Sequence, residues 1–393
     1  MPDETDTSPR LGHGAESASA EPGARRFPLG TVDLSGELRR QVIIAAGTET
    51  TYHGHPTTLL MPDGKTMYCV WTYGHGGKCG PLKRSDDGGR TWSELLPVPD
   101  NWGTVRNCPT LFRLADPEGV NRLFVFAGQG PDGCIHASVS ENEGHTWSPM
   151  RSIGLKAVMP FCSIIPVDGG RCLLGLTNIR RPSADPSGDP WTNVIAQSRS
   201  EDGGFSWSPW EVILDDAAMR FCEPWLVPAP ATEDGGVREW ACLIRENIHG
   251  TSHVITTSDE GRSWSSPRAL PPGLAGDRHV ARYAPDGRLV VVFRDRALHS
   301  GTTTHFVAWI GRYEDLLGGG DGDYRVKLFH SHAGYDCGYP GLEVLPDGTI
   351  VATTYVKYRA GAEKHSIVST RFTLAETDAR FASRYSAPLH VHA

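Results

Sequence analysis

The chain is patterned as short runs of alternating apolar and polar residues, separated by residues that favour turns. Six segments share one form, in which an apolar run, a turn built on Asp-Gly or a close variant, and a second apolar run follow one another. The segments begin at His55, Cys108, Phe161, Glu223, His279 and Tyr339, at spacings of 53, 53, 62, 56 and 60 residues. Because alternation with period two marks half-buried strands and Asp-Gly allows positive φ, each segment predicts a β-hairpin.

A second phrase recurs in phase with the first one. Its copies read SDDGGRTW from Ser85, SENEGHTW from Ser140, SEDGGFSW from Ser200 and TSDEGRSW from Thr257. The third residue of each copy is Asp or Asn, whose side chain can accept backbone N–H bonds inside a turn. The Gly takes positive φ, and the Trp packs beneath the turn. We therefore expect these polar residues to be structural rather than catalytic: Asp87, Asn142, Asp202 and Asp259.

Two hairpins in each repeat make one four-stranded antiparallel sheet. Six such sheets, arranged radially, leave few exposed strand edges. The sequence thus predicts an all-β protein, a six-bladed β-propeller with four-stranded antiparallel blades, over residues 31–393. Residues 1–30 are polar and poor in apolar runs, which predicts a disordered N-terminal tail.

Composition and charge exclude several classes of function. The net charge is −8, and no cluster of Lys and Arg is present to bind nucleic acid. No apolar run is long enough to span a bilayer, and the N-terminus has no apolar signal segment, so we expect a cytoplasmic protein without a membrane partner. The nine cysteines lie mostly in strand patterns and are expected to be reduced and buried. The oligomeric state does not follow from the sequence.

The first strand of each propeller blade lines the central channel, so the six segment starts are expected to meet there. Asn107 lies directly before one of them. The ends of the second strands bring cationic and imidazole side chains to the same place, among them His75, Arg245 and Arg294. This collection of cations predicts an anionic ligand.

The four SxDxGxTW-type phrases resemble the Asp-box repeats of the sialidase (neuraminidase) superfamily. That resemblance implies an exo-acting glycoside hydrolase for an acidic sugar, with no cofactor. Glu223 with Arg245, and the run Tyr339-Pro340-Gly341-Leu342, resemble the family's glutamate, arginine and nucleophile strand. Tyr339 would then be the nucleophile and Glu223 would accept its proton, since a neutral nucleophile avoids repulsion from a substrate carboxylate. Arg245 and Arg294 would hold that carboxylate.

Two stretches depart from the family pattern. The first strand reads Tyr-His-Gly-His-Pro at 52–56, where the family has an arginine, and the loop 73–78 lacks the family's acid/base Asp. Histidine exchanges protons near neutral pH, so His75 becomes the candidate acid/base. The candidates for substrate binding are His53, His55, His279 and Asn107. The four histidines could instead converge on a metal, but no carboxylate or Cys is phased with them, and we expect no metal.

Two other functions fit the same residues. A polysaccharide lyase would use a His base, an Arg that neutralises a uronate carboxylate, and a Tyr acid, leaving Glu223 without a role. A propeller that binds carbohydrate without chemistry is the third interpretation, since this architecture hosts many functions. The carbohydrate substrate or ligand is the only partner that the sequence indicates.

Overall fold

A computed structural model describes residues 27–130, 133–183, 191–230 and 239–385. In these ranges the chain forms 24 strands, five short helical turns and one α-helix. The strands of the first half are β1 (Thr31–Asp33), β2 (Gln41–Ala45), β3 (His53–Leu60), β4 (Met67–Tyr73), β5 (Lys78–Ser85), β6 (Arg106–Ala115), β7 (Asn121–Gly128), β8 (Cys134–Ser140), β9 (Arg151–Lys156), β10 (Ser163–Val167), β11 (Cys172–Pro182) and β12 (Trp191–Ser200). Those of the second half are β13 (Glu211–Leu214), β14 (Phe221–Pro228), β15 (Trp240–Glu246), β16 (His253–Thr257), β17 (Arg268–Ala269), β18 (Gly276–Tyr283), β19 (Leu289–Asp295), β20 (Phe306–Gly311), β21 (Tyr324–Phe329), β22 (Cys337–Val344), β23 (Ile350–Val356) and β24 (Ser366–Phe372).

The helical elements are few and short. The turns are Leu38–Arg40, Asp100–Thr104, Asp168–Gly170, Pro272–Leu274 and Asp315–Gly319, and the α-helix, α1, is Leu374–Tyr385. None of the helices in the described ranges is long and apolar enough to cross a membrane.

All six predicted hairpins are present as antiparallel strand pairs: β3–β4, β6–β7, β10–β11, β14–β15, β18–β19 and β22–β23. Hydrogen bonding groups the strands into five sheets, ordered β3-β4-β5-β6-β7-β8-β9, β10-β11-β12-β13, β14-β15-β16-β17, β1-β21-β20-β19-β18 and β2-β24-β23-β22. In the seven-stranded sheet, β5 and β6 meet only through the pair Lys78–Arg106. The prediction of an all-β, mostly antiparallel fold is confirmed, and the count of six blades stays a prediction.

The first strands of the hairpins surround a common channel, as expected. A cavity of about 210 Å³ is lined by residues of β3, β6, β14, β18 and β22, and by Cys162 directly before β10. Segments from distant parts of the chain therefore meet at one axis. Apolar clusters fill the spaces between neighbouring sheets, and eight of the nine unpaired cysteines are buried, as the sequence predicted.

The last sheet is completed by the N-terminal part of the chain, which the sequence analysis did not foresee. Strand β2 pairs antiparallel with β24, and β1 pairs parallel with β21. The last two repeats lack the second turn phrase, and a strand from residues 41–45 takes the outer position of the final sheet. The two ends of the described chain are thereby held together.

The structure also places the end of the predicted tail against the fold. The Arg325 guanidinium lies 5.1 Å from the Phe27 ring centroid, and the Arg325 backbone N–H donates to the Gly30 carbonyl. The prediction of disorder therefore applies to residues 1–26, which lie outside the described residues.

The four turn phrases adopt the predicted hydrogen-bonded turn. The Asp87 carboxylate accepts bonds from the backbone N–H groups of Arg90 and Thr91, each at 2.9 Å, and from the hydroxyls of Ser85 and Thr91. The other three copies keep the bonds from the first residue's hydroxyl and the seventh residue's N–H. Asp202 also accepts from the sixth residue's N–H, whereas the Asn142 amide donates to the Thr146 hydroxyl. Burial opposes ionisation of Asp87, but these hydrogen bonds lower its pKa to about 2.

The hydrogen bonds of the turn predict that replacing Asp87 costs more folding stability than replacing its neighbour Asp86. Asp87→Ala should lower the free energy of unfolding by about 1–2 kcal/mol, because backbone donors lose a charged acceptor. Since the folded-state pKa lies below the unfolded value, this loss should be full above about pH 5 and shrink as the pH falls towards 2. Denaturant unfolding of each variant measures it.

Asp86→Ala is the matched control, because both aspartates are exposed but the described contact of Asp86 is only a surface ion pair with Arg84. We expect a change within about 0.5 kcal/mol. Equal losses for the two variants would contradict the structural role of Asp87.

Candidate functional site

The site is built from residues in a strained backbone conformation at the start of the inner strands. His55, Cys108, Glu223, Arg278 and Tyr339 have φ values of 48°, 43°, 57°, 55° and 54°. Each coincides with a shift in register between the first two strands of its hairpin, which is the mark of a β-bulge. Bulges re-aim side chains, and positive φ in non-glycine residues is concentrated at functional sites.

The contacts show that these side chains form one cluster, here called the bulge cluster. The Tyr339 hydroxyl donates to Glu223, and the His55 ring stacks on Tyr339 at 4.3 Å between centroids. Arg278 lies 5.6 Å from the Tyr339 ring centroid, and the Cys108 Sγ lies 3.2 Å from the His55 Nδ1. The expected meeting of His55, Glu223 and Tyr339 is confirmed.

His279 is not part of this cluster, which corrects the sequence analysis. Its side chain is buried, its Nε2 lies 2.8 Å from the Leu274 carbonyl, and its ring lies 5.0 Å from Phe293. The strand register explains the error. In the fifth hairpin the last pair before the bulge is Asp277 with Arg294, and in the sixth it is Gly338 with Tyr355. The residue that follows each pair is therefore equivalent, which makes Arg278 the counterpart of Tyr339. The alignment of the fifth repeat was one residue out.

His53 also lies outside the bulge cluster, and its prediction as a substrate-binding residue is corrected in the same way. Its Nδ1 accepts a bond from the Trp71 indole at 2.9 Å, and its ring lies 5.5 Å from Tyr73. The bulge at His55 breaks the strand alternation that would have placed both rings on one face. Within the described residues, no three His, Cys, Asp or Glu side chains are arranged as metal ligands.

Tyr339, Glu223 and Arg245 form the chemical centre of the cluster. Glu223 is 2% exposed, and its Oε1 accepts bonds from the Tyr339 hydroxyl and from the Arg245 Nη1, the latter at 3.1 Å. Burial and the neighbouring carboxylate raise the pKa of Tyr339 well above its ordinary value, so the phenol is neutral and protonated. The second Glu223 oxygen is buried and has no hydrogen-bond partner among the described residues. Glu223 is thus placed to accept the phenol proton.

Arg245 and Arg294 are already paired with a carboxylate of the protein. Asp277 is 2% exposed, and it lies 2.8 Å from the Arg245 Nε, 2.6 Å from the Arg294 Nη2 and 3.2 Å from the Arg296 Nη1. Burial opposes ionisation of Asp277, but the three arginines hold its pKa well below the ordinary range. Arg245 and Arg294 are therefore not free of protein partners, and their role in holding a substrate carboxylate stays a prediction.

His75 is held by a carboxylate that sequence reasoning missed. Its Nδ1 lies 3.2 Å from the Asp336 Oδ1, while 42% of its side chain is exposed. Asp336 also accepts bonds from the hydroxyls of Tyr52 and Tyr355. Burial opposes its ionisation, yet these donors and the nearby His365 keep the pKa of Asp336 well below its usual value. The only available signal was an acid placed three residues before Tyr339.

His75 joins the bulge cluster through His55, at 4.5 Å between ring centroids. Asn107 lies beside them, but its amide nitrogen donates to the Val158 carbonyl at 2.7 Å and its oxygen accepts from Cys108. His75 thus has an oriented ring with exposed surface, separated from Tyr339 by the His55 ring, and such an imidazole is suited to donate and accept protons.

Comparisons with known proteins agree with this architecture. No family model and no curated sequence matches the chain. Solved structures match it over most of its length at 12–16% identity. A protein of unknown function from Dyadobacter fermentans is 15% identical over 84% of this chain and 97% of its own, with a TM-score of 0.65.

Two of the matching structures have stated activities. An α-L-arabinofuranosidase from Fusarium graminearum, with an iminosugar inhibitor, is 16% identical over 86% of this chain and 98% of its own, with a TM-score of 0.62. An intramolecular trans-sialidase from Ruminococcus gnavus is 12% identical over 85% and 97%, with a TM-score of 0.54. At such identities the likeness establishes the fold alone, a sialidase-like all-β propeller shared with glycoside hydrolases.

The site contains a cysteine beside a histidine, and its chemistry predicts an alkylation pattern. Burial raises the pKa of the Cys108 thiol well above its ordinary value, and burial with the charge of His75 lowers the pKa of His55, so the pair stays neutral. Iodoacetamide at pH 8 should modify Cys134, the one cysteine that is not buried, at least about 100-fold faster than Cys108. Peptide mass spectrometry of the folded protein measures both rates.

Denatured protein, in which all nine cysteines should react, is the control for peptide coverage. Alkylation of folded Cys108 before Cys134 would contradict the neutral pair and point to a thiolate nucleophile instead.

Proposed function

We propose that the chain is an exo-acting, retaining glycoside hydrolase on a six-bladed propeller with Asp-box turns. The observation that carries the proposal is the hydrogen bond from the Tyr339 hydroxyl to the buried Glu223 carboxylate, beside Arg245. Six blades result when the seven-stranded sheet is divided at its single connecting pair, Lys78–Arg106. The fold likeness to glycoside hydrolases supports the same class.

In the first step, the Tyr339 oxygen attacks the anomeric carbon of a terminal sugar while the glycosidic C–O bond breaks. The phenol proton passes to Glu223, to which it is already hydrogen-bonded. The leaving oxygen takes a proton from His75, whose Nδ1 is fixed by Asp336. Arg245 and Arg278 stabilise the negative charge that is shared between Tyr339 and Glu223 as the proton moves.

In the second step, water attacks the anomeric carbon of the glycosyl-tyrosine. His75, now neutral, accepts the proton of that water, and the Tyr339–carbon bond breaks. Tyr339 regains its proton from Glu223, which restores both groups. Two displacements at one carbon retain its configuration.

The other interpretations have weaker support. A uronate lyase needs an arginine for the substrate carboxylate, whereas Arg245 and Arg294 are paired with Asp277. A propeller that only binds carbohydrate would have no use for a tyrosine bonded to a buried glutamate. The cytoplasmic location and the carbohydrate partner stay predictions.

Replacement of the nucleophile should separate binding from turnover. Tyr339→Phe should lower kcat by about 1000-fold or more, because the covalent step is lost, while sugar affinity changes by no more than about threefold. Release of 4-nitrophenol from a panel of aryl glycosides measures kcat, and calorimetry with the free sugar measures affinity.

Tyr313→Phe is the matched control. The Tyr313 hydroxyl also donates to a glutamate, Glu239, at 3.3 Å in a partly buried pair outside the bulge cluster. Its kcat should equal that of the wild type. Undiminished turnover by Tyr339→Phe would exclude Tyr339 as the nucleophile.

The role of His75 predicts a dependence on the leaving group. His75→Ala should slow glycosides of poor leaving groups, such as methyl glycosides, by about 100- to 10,000-fold, and 2,4-dinitrophenyl glycosides far less, because a good leaving group needs no proton. The measurement is kcat/KM across a series of leaving groups.

His145→Ala, an exposed histidine of a turn phrase, is the control and should leave the series unchanged. Equal slowing of good and poor leaving groups by His75→Ala would contradict acid catalysis by His75.

A further inference from the structure

Asp277 binds the side chains that would otherwise recognise an anionic sugar. It lies on β18 directly before the bulge residue Arg278, and its two oxygens contact Arg245, Arg294 and Arg296. Asp277 is 2% exposed, so the carboxylate is part of the wall of the site rather than a surface ion pair. We call these four residues the Asp277 cluster.

All three guanidinium nitrogens of Arg294, and the Nε and Nη1 of Arg245, contact acceptors of the protein. In Arg294, Nε and Nη2 bond Asp277 at 2.8 and 2.6 Å, and Nη1 donates to the carbonyls of Tyr335 and Cys337. In Arg245, Nε contacts Asp277 and Asn247, and Nη1 bonds Glu223. A two-arginine clamp on a ligand carboxylate would need these same N–H groups.

Arg278 and Arg296 do not replace that clamp. Arg278 is 4% exposed, donates to the Cys162 sulfur at 2.7 Å, and lies beside the Tyr339 ring, where it balances Glu223. Arg296 is the partly exposed member of the Asp277 cluster, and its Nη1 lies 3.2 Å from Asp277. Both guanidinium groups are thus already engaged in part by the protein, Arg278 by Cys162 and Arg296 by Asp277.

We propose that Asp277 is the specificity-determining residue of this site, and that the sugar it accepts at Tyr339 carries no carboxylate. This inference rests on the proposed glycosidase function and names its substrate class. Asp277 supplies from within the protein the negative charge that a sugar acid would bring. A carboxylate of the ligand would have to compete with Asp277 for the N–H groups of Arg245 and Arg294 that already bond it.

The same charge accounts for a tyrosine nucleophile acting on an uncharged sugar. A neutral phenol avoids repulsion from a carboxylate beside the reacting carbon, whether that carboxylate belongs to the substrate or to the wall. Here it belongs to the wall: Glu223 is bonded to Tyr339, and Arg245 connects Glu223 to Asp277. The expectation of an acidic sugar is thereby replaced.

Wild-type protein gives the first test. Turnover is measured with 4-nitrophenyl glycosides of uncharged pentoses and hexoses, a 4-methylumbelliferyl sialoside and a 4-nitrophenyl glucuronide. Binding of arabinose, galactose, N-acetylneuraminic acid and glucuronic acid is measured by calorimetry. We expect kcat/KM for the best uncharged glycoside to exceed that for either acidic one by at least about 100-fold, and uncharged sugars to bind at least tenfold more tightly.

Asp277→Asn gives the second test, because it keeps the shape and removes the charge. Its affinity for the two sugar acids should rise at least tenfold over the wild type. Asp295→Asn is the matched control, since Asp295 pairs with the fully buried Arg325 at 2.9 Å in the same sheet, and it should gain no affinity. Circular dichroism establishes that each variant is folded.

The outcomes separate this inference from the proposed function. If uncharged sugars bind but no glycoside is hydrolysed, Asp277 remains the specificity-determining residue and the proposed hydrolase function is excluded. The inference is overturned if sugar acids bind the wild type as tightly as uncharged sugars, or if folded Asp277→Asn gains no affinity for sugar acids. Neither result affects the proposed hydrolase function, which depends on turnover. Where Asp277→Asn does not fold, the wild-type preference decides alone.

Discussion

The hydrogen bond between Tyr339 and Glu223 is the interaction on which the site depends. The two residues are 116 positions apart and start different inner strands, β22 and β14. Both have positive φ at a bulge, so each strand is bent where its side chain must reach the channel. The bond joins a phenol of raised pKa to a carboxylate that can accept its proton, which is a nucleophile and base already assembled.

Closure of the fold makes that contact available. Strand β2 completes the sheet that carries Tyr339, and it comes from the opposite end of the chain. The rest of the wall is ionic: Asp277 gathers three arginines, and Asp336 gathers His75 with two tyrosines. The buried Asp277 and the partly buried Asp336 thus fix the positions of the side chains around Tyr339, and removal of one partner would leave the others uncompensated.

Local chemistry was predictable from the sequence, and long-range register was not. The turn at Asp87 was predictable because donor and acceptor lie within a few residues, and the hairpin starts at Glu223 and Tyr339 because the repeats align. Nothing in the sequence marks positive φ at a non-glycine residue. The sequence alignment therefore placed His279 in the site, where the structure has Arg278. Asp277 and Asp336 lie outside the repeated phrases, and only the closed ring brings them to the arginines and to His75.

The most direct measurement of the central claim is chemical trapping of the intermediate. A 2-deoxy-2-fluoro glycosyl fluoride slows both displacements but carries an excellent leaving group, so the covalent intermediate accumulates. Intact-mass and peptide mass spectrometry should then show one glycosyl group, attached to the Tyr339 oxygen, which is lost on addition of an acceptor alcohol. Attachment to Glu223 or Asp336, or turnover of the parent glycoside with inversion of configuration, would contradict the account.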